Sequence, residues 1–304
     1  MVNIVTNNKS VTIIIASSWP AITQNQLTQA IPEISLLAKT KLVNFSYDHK
    51  LPAAPQWQSF VDLIRAEAAD PIGGLVVLAD LTLALYLSNV ISFGWLQPTL
   101  PIIFTTGVED LFFKKKLIKA GGVKANLINA VQLATLAKPQ TVILDGFHLI
   151  APSKAGFDQR NETNTLVSLD NQYIGKVDFG ISFSEETLPV QVGWPHHNLF
   201  ETQIQVINQG PFAAEVISAQ AKGLIFVRHE PQVALAESFL ASLEVPYVIF
   251  QPTLLLEKTS TPIVNYLTWH CLVVKFAWLL AATDNQTLIT NGLLNPYLGE
   301  IMGS

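Results

Sequence analysis

The sequence predicts a two-domain α/β protein: a larger N-terminal parallel sheet with helices on both faces, followed by a smaller C-terminal α/β domain. Three observations carry this expectation. Short apolar runs bounded by polar or turn residues alternate with segments of helical period. The runs are apolar at consecutive positions rather than at every second one, as strands covered on both faces are. The alternation lapses after Asp145 and resumes near residue 203.

Taken in order, the first strand is expected over residues 11–16 and the second over 41–45. Residues 58–69 have helical period, with Phe60, Leu63 and Ile64 on one face. A third strand over 74–79 leads into a helix over 82–93, and a fourth strand follows over 101–105. A helix over 125–137 sets Leu127, Ile128 and Val131 on one face, before a fifth strand over 141–145. Residues 152–178 are polar and turn-rich, and residues 188–200, rich in proline, histidine and aromatic side chains, read as an interdomain connection. Strands resume at 203–207, 224–227 and 247–250, with helices expected over 211–222, 233–243 and 264–282. The division expected is an N-terminal domain over 1–190, a linker over about 191–200 and a C-terminal domain over 201–304.

A chain of 304 residues is long enough for a sizeable core in each of two domains. Hydrophobic residues make up 49% of it and charged residues 13%, so much apolar surface must be buried between subunits or meet a membrane. Residues 72–93 and 263–282 are about long enough to span a bilayer. The first contains Asp80, Asn89 and paired glycines and the second His270 and Lys275, and a charge near the centre of a span costs several kcal/mol. Packed strand-then-helix units are the expectation for both, with no membrane partner. The first residues lack a basic region followed by an apolar one, which favours the cytoplasm. With 18 basic against 23 acidic residues there is no field to attract nucleic acid. Lys114, Lys115, Lys116 and Lys119 read as a solvated helix face. Cys271 stands alone in an apolar segment and reads as a small core residue.

Known constellations are missing. There is no Gly-x-Ser-x-Gly, no phosphate-binding loop and no His-Glu-x-x-His, and Gly73-Gly74 precedes a strand where a dinucleotide fingerprint follows one. His196 and His197 are adjacent, which sends their side chains to opposite sides of an extended backbone; no metal and no cofactor are expected. His229 and Glu230 follow an apolar strand, where α/β sheets bind ligands, but a plain polar loop is the favoured reading.

With these elements in place, the order of short segments carries a resemblance. Gly74-Leu-Val-Val-Leu-Ala79, Pro101-Ile-Ile-Phe-Thr-Thr-Gly107, Asn126-Leu-Ile-Asn-Ala-Val131, Thr141-Val-Ile-Leu-Asp145 and Tyr173-Ile-Gly175 follow one another as they do in the bacterial-type L-asparaginase/glutaminase family. Lys222-Gly-Leu-Ile-Phe226 and Val245-Pro-Tyr-Val-Ile249 resemble strands of that family's smaller domain, so the likeness runs over about residues 10–285. The resemblance implies an asparaginase-like fold, a homo-dimer or homo-tetramer, and hydrolysis of a side-chain amide by a threonine nucleophile.

The positions that resemblance assigns to the chemistry hold other residues. The family's Thr-Gly-Gly-Thr-Ile-Ala becomes Ala16-Ser-Ser-Trp-Pro-Ala21, with Trp19 at the nucleophile, and an indole cannot attack an amide. The Gly-Thr-Asp-Thr motif becomes Asp80-Leu81-Thr82-Leu83, which sets Leu81 at the second threonine and Thr82 at the substrate-binding aspartate. Gly156 aligns with the lysine that tunes that threonine, and Lys154 is two residues away. Ser46, Tyr47 and Asp48 align with the serine-containing ligand-binding stretch. Trp19 is expected to fill the former pocket and Asp80 to cap the helix after it. The chain therefore reads as a pseudoenzyme that binds a small molecule or regulates a partner. The alternative is a divergent amidohydrolase with Ser17 or Ser18 as nucleophile, helped by Asp80, Thr82 or Lys154.

Overall fold

The structure, a computed structural model, describes residues 9–113, 120–157, 165–178, 180–184, 197, 199–201, 203–209, 217–229, 237–252 and 263–300. Strands β1 (Ser10–Ser17), β2 (Lys39–Ser46), β3 (Gly74–Ala79), β4 (Ile102–Thr106) and β5 (Thr141–Asp145) pair in parallel, in the order β2-β1-β3-β4-β5. Beyond β5 the pairing turns antiparallel, through β6 (His148–Ile150) and, after the separate pair β7 (Ala155–Phe157) and β8 (Leu166–Ser168), through β9 (Gly175–Val177) and β10 (Ile181–Phe183). A second, parallel sheet orders β11 (Ile204–Gln209), β12 (Gly223–Arg228), β13 (Tyr247–Phe250) and β14 (Ile263–Val264).

The helices are α1 (Gln24–Ala30), α2 (Ile34–Leu37), α3 (Ala53–Ala68), α4 (Leu81–Gly94), α5 (Val108–Phe112), α6 (Ala120–Leu136), α7 (Glu237–Ala241), α8 (Trp269–Ala282) and α9 (Gln286–Leu294). Apolar residues on both faces of the strands explain why helices must cover both. In β1, Ile14 and Ala16 join the core shared with α3 and α4, while Val11, Ile13 and Ile15 join the one shared with α1, α2 and α6. Each such side chain, once buried, contributes about 1.5–3 kcal/mol.

Helix α4 is apolar nearly all round because it is buried nearly all round: beyond the first sheet it meets α8, and the two sheets share one core there. Its buried polar residues donate to nearby carbonyls, while Asn89 Oδ1 is left without a partner. Ser92 Oγ donates to Ser88 O at 2.8 Å, and Asn89 Nδ2 donates to Leu85 O at 2.8 Å and to Pro152 O at 3.0 Å. Residues 72–93, long enough on paper for a bilayer span, are thus β3 followed by α4. Among the described residues no helix is long and apolar enough to cross a membrane.

The second sheet corrects two expected helices. Residues 263–264 pair with β13 as a strand, and α8 starts only at Trp269, where the Thr268 hydroxyl accepts from Cys271 N at 3.2 Å and caps it. Of the helix expected over 211–222, residues 217–222 are not helical, Ala221 N closing a turn on Ser218 O at 3.0 Å. The remainder of that span, most of the expected linker, Glu230, His196 and the four lysines lie outside the described residues.

Candidate functional site at the strand switch point

In this strand order the chain leaves β1 toward β2 and leaves β3 toward β4, on opposite sides. The diverging connections open a crevice beyond the C-terminal ends of β1 and β3, the place where open α/β sheets take ligands. Ser17 ends β1 and Asp80 follows β3. Ser18 N reaches across the crevice to Asp80 Oδ2 at 3.4 Å.

Asp80 occupies the N-cap position of α4 with extended backbone (ψ 149°), but its side chain makes no capping bond. The expected cap is therefore corrected: the carboxyl turns to the β1 loop. Burial pushes its pKa up, the Ser18 N–H pulls it down, the Glu109 carboxylate raises it further and His49 counteracts. Glu109 comes from α5, which the chain enters through Gly107 at φ 112°; a Cβ there would meet Val123 at 2.6 Å.

Trp19 does not plug the crevice. It is 39% exposed and stacked on Phe113, ring centroids 4.9 Å apart and planes 18° apart, so it stands as an open aromatic wall. Ser17 is buried and its Oγ accepts from Trp19 N at 3.2 Å, while Ser18 is exposed. Ser46 lies opposite Ser17 in the β1–β2 register. Tyr47 is half-buried with its ring edge-on to His49 at 5.1 Å; burial raises its phenol pKa, opposed by the Trp57 N–H. Asp48 is exposed and its Oδ1 accepts from Lys50 N at 2.9 Å, a local turn rather than an inward-facing group. Leu81 packs into the α3–α4 core and Thr82 is exposed on the first turn of α4.

Lys154 is engaged elsewhere. Its Nζ donates to Gln172 Oε1 at 2.6 Å and pairs with Asp170 Oδ2 at 2.7 Å, both charged side chains being buried. Burial by itself raises the pKa of Asp170, but Lys154, the Gln172 N–H and the Ser168 hydroxyl bring it below the usual value. At Gly156 a Cβ would meet Leu169 side-chain atoms at 2.8 Å, so no larger residue fits without moving Leu169. The structure thus brings Ser17, Ser18, Trp19 and Asp80 together with Phe113, Glu109 and His49, three residues the sequence reading missed. Glu109 and Phe113 lie four apart just after the end of β4, and the rule that strand ends carry sites would have pointed to that loop. Among the described residues no cluster of His, Cys, Asp or Glu is placed to hold a metal ion.

No protein-family model matches the sequence, and no curated protein matches it significantly. Solved structures do match. The thermostable L-asparaginase from Thermococcus kodakarensis superposes with a TM-score of 0.76 at 14% identity, covering 97% of this chain and 100% of that one. The fold is that of the L-asparaginases. L-asparaginase I from Vibrio cholerae O1 biovar eltor agrees, with a TM-score of 0.73 at 16% identity over 97% of this chain and 99% of its own. The asparaginase-like architecture expected from segment order is thereby established for nearly the whole chain. It explains why the crevice lies where β1 and β3 end, and it leaves open what the crevice does.

Proposed function

We propose that this chain is an asparaginase-fold protein without threonine-dependent amidohydrolysis, whose crevice serves to bind a ligand. One observation carries the reading: at the end of β1, where the resemblance calls for a threonine, an exposed indole lies stacked on Phe113. Leu81 and Gly156 support it, since neither can supply the hydroxyl or the amine that the family's chemistry needs. Lys154 cannot stand in for the lysine while it pairs with Asp170. The groups that remain suit an amine carried on a flat apolar body: the Trp19–Phe113 wall takes the apolar part, and Asp80 with Glu109 supplies negative charge. The protein acts as a homo-dimer or homo-tetramer in the cytoplasm, where a second copy covers part of its apolar surface.

A second reading is favoured by the closeness of Ser18 to Asp80, whose Oδ2 accepts from the Ser18 backbone N–H. There the Ser18 hydroxyl attacks a carboxamide carbon, its proton passes to Asp80 and on to the departing ammonia, and water then hydrolyses the acyl-serine to release the acid and restore Ser18. Ser17 suits this less well, being buried with its Oγ taken by Trp19 N.

Ammonia release from L-asparagine and L-glutamine by the purified full chain, with Ser18→Ala and Asp80→Ala beside it, separates the two. No release above background at high protein concentration is expected. Release that both variants abolish would overturn the ligand-binding reading in favour of a serine amidohydrolase.

A further inference from the structure

At the opposite end of the first sheet, where β4 and β5 begin, lies a cleft of about 260 Å³. We propose that it is a second binding site, for a small carboxylate with an apolar body. Trp95, Leu96, Pro152 and Leu298 form its apolar wall. The indole is held in place from outside, because the Arg65 guanidinium lies 6.0 Å from the centre of its ring and donates to Gly94 O at 2.7 Å. A preset aromatic wall binds without first being ordered.

Its polar lining mixes side-chain amides, hydroxyls and one ammonium: Gln97, Gln140, Ser92, Thr141, Ser153 and Lys138. Thr141 lies at the cleft, its Oγ1 buried and without a hydrogen-bond partner. Ser153 is 2% exposed, and its carbonyl accepts from the Thr268 hydroxyl at 3.3 Å. Lys138 stands exposed at the rim, and no carboxylate is among the described residues that line the cleft. Lys138 is the one charged residue among those lining the cleft, and a single cation beside neutral amide and hydroxyl groups matches a single carboxylate, whereas a phosphate or polyanion calls for more charge. The volume equals that of about nine liquid waters, which limits the ligand to roughly ten non-hydrogen atoms.

The probe is 3-phenylpropionate, titrated calorimetrically into the full chain beside the neutral 3-phenylpropionamide. Saturable binding with a Kd on the order of 1 mM is expected. The amide should bind at least about tenfold more weakly, and Lys138→Gln, a change at an exposed position, should weaken the acid by a similar factor. Trp19→Ala should leave the binding unchanged, because Trp19 stands at the other end of the sheet. Absence of saturation by roughly 20 mM, equal binding of acid and amide, or loss of binding in Trp19→Ala would each overturn the proposal, the last by moving the ligand into the crevice.

Discussion

At position 19 the fold needs only a residue that can follow β1 into an open loop, and an indole stacked on Phe113 meets that need. Asp80 is the group in the crevice whose charge the fold resists. A carboxyl whose pKa is raised on folding costs nothing while protonated and destabilises the protein as pH rises through the carboxylate range. Asp80→Asn is therefore expected to raise the melting temperature at pH 7 and to leave it unchanged at pH 3; an equal gain at both would mean that charge is not the cause. The offsets of Trp19, Leu81 and Gly156 from strands β1, β3 and β5 were legible in the sequence. Their neighbours were not, because the pairing of Trp19 with Phe113 depends on which strands lie side by side, which no local pattern records.

The long strands and helices were legible for the same reason that α4 is buried: apolar residues filling both faces leave few other arrangements. Elements of two or three residues, such as β6 and β14, escaped, because a run that short carries no period. The start of α8 escaped too, since Ile263 and Val264 continue its apolar pattern while pairing as a strand, and Thr268 sets the boundary. Within α8, His270 is 9% exposed, with ring contacts to Tyr86 at 4.8 Å and Phe157 at 5.8 Å. Burial pushes its pKa down to about 4 from an ordinary 6.5. Its neutral form is the one the fold accepts, so this contribution to stability is complete above pH 6.5 and is lost as pH falls toward 4. The loss amounts to about 3 kcal/mol at most. Chemical denaturation between pH 7 and pH 4 should show this decline in the native chain and a flatter profile in His270→Phe; parallel profiles would place the acid sensitivity elsewhere.

At the scale of the whole molecule, α4 and α8 join two sheets into one core, and a buried ion pair secures the far side. Lys275 Nζ meets Glu300 Oε1 at 2.5 Å and also donates to Leu293 O at 3.0 Å and Asn295 O at 2.8 Å, holding the end of α9 against α8. This packing buries much of the 49% of residues that are hydrophobic but leaves Leu36, Phe147, Leu199 and other large apolar side chains exposed. Light scattering after size exclusion should accordingly give a mass at least twice that of one chain, and a monodisperse monomer would end the oligomer reading.

The only cysteine of the chain lies within α8. Cys271 is fully buried, and burial with the nearby Glu300 carboxylate holds its thiol pKa well above the ordinary value, Lys275 only partly offsetting them. An alkylating reagent can reach it only in molecules where the packing around α8 has opened, and only there does the thiolate form readily. The residue is thus a built-in clock for the opening of the core around α8: where reclosing outpaces alkylation, the rate of its modification reads the free energy of that opening.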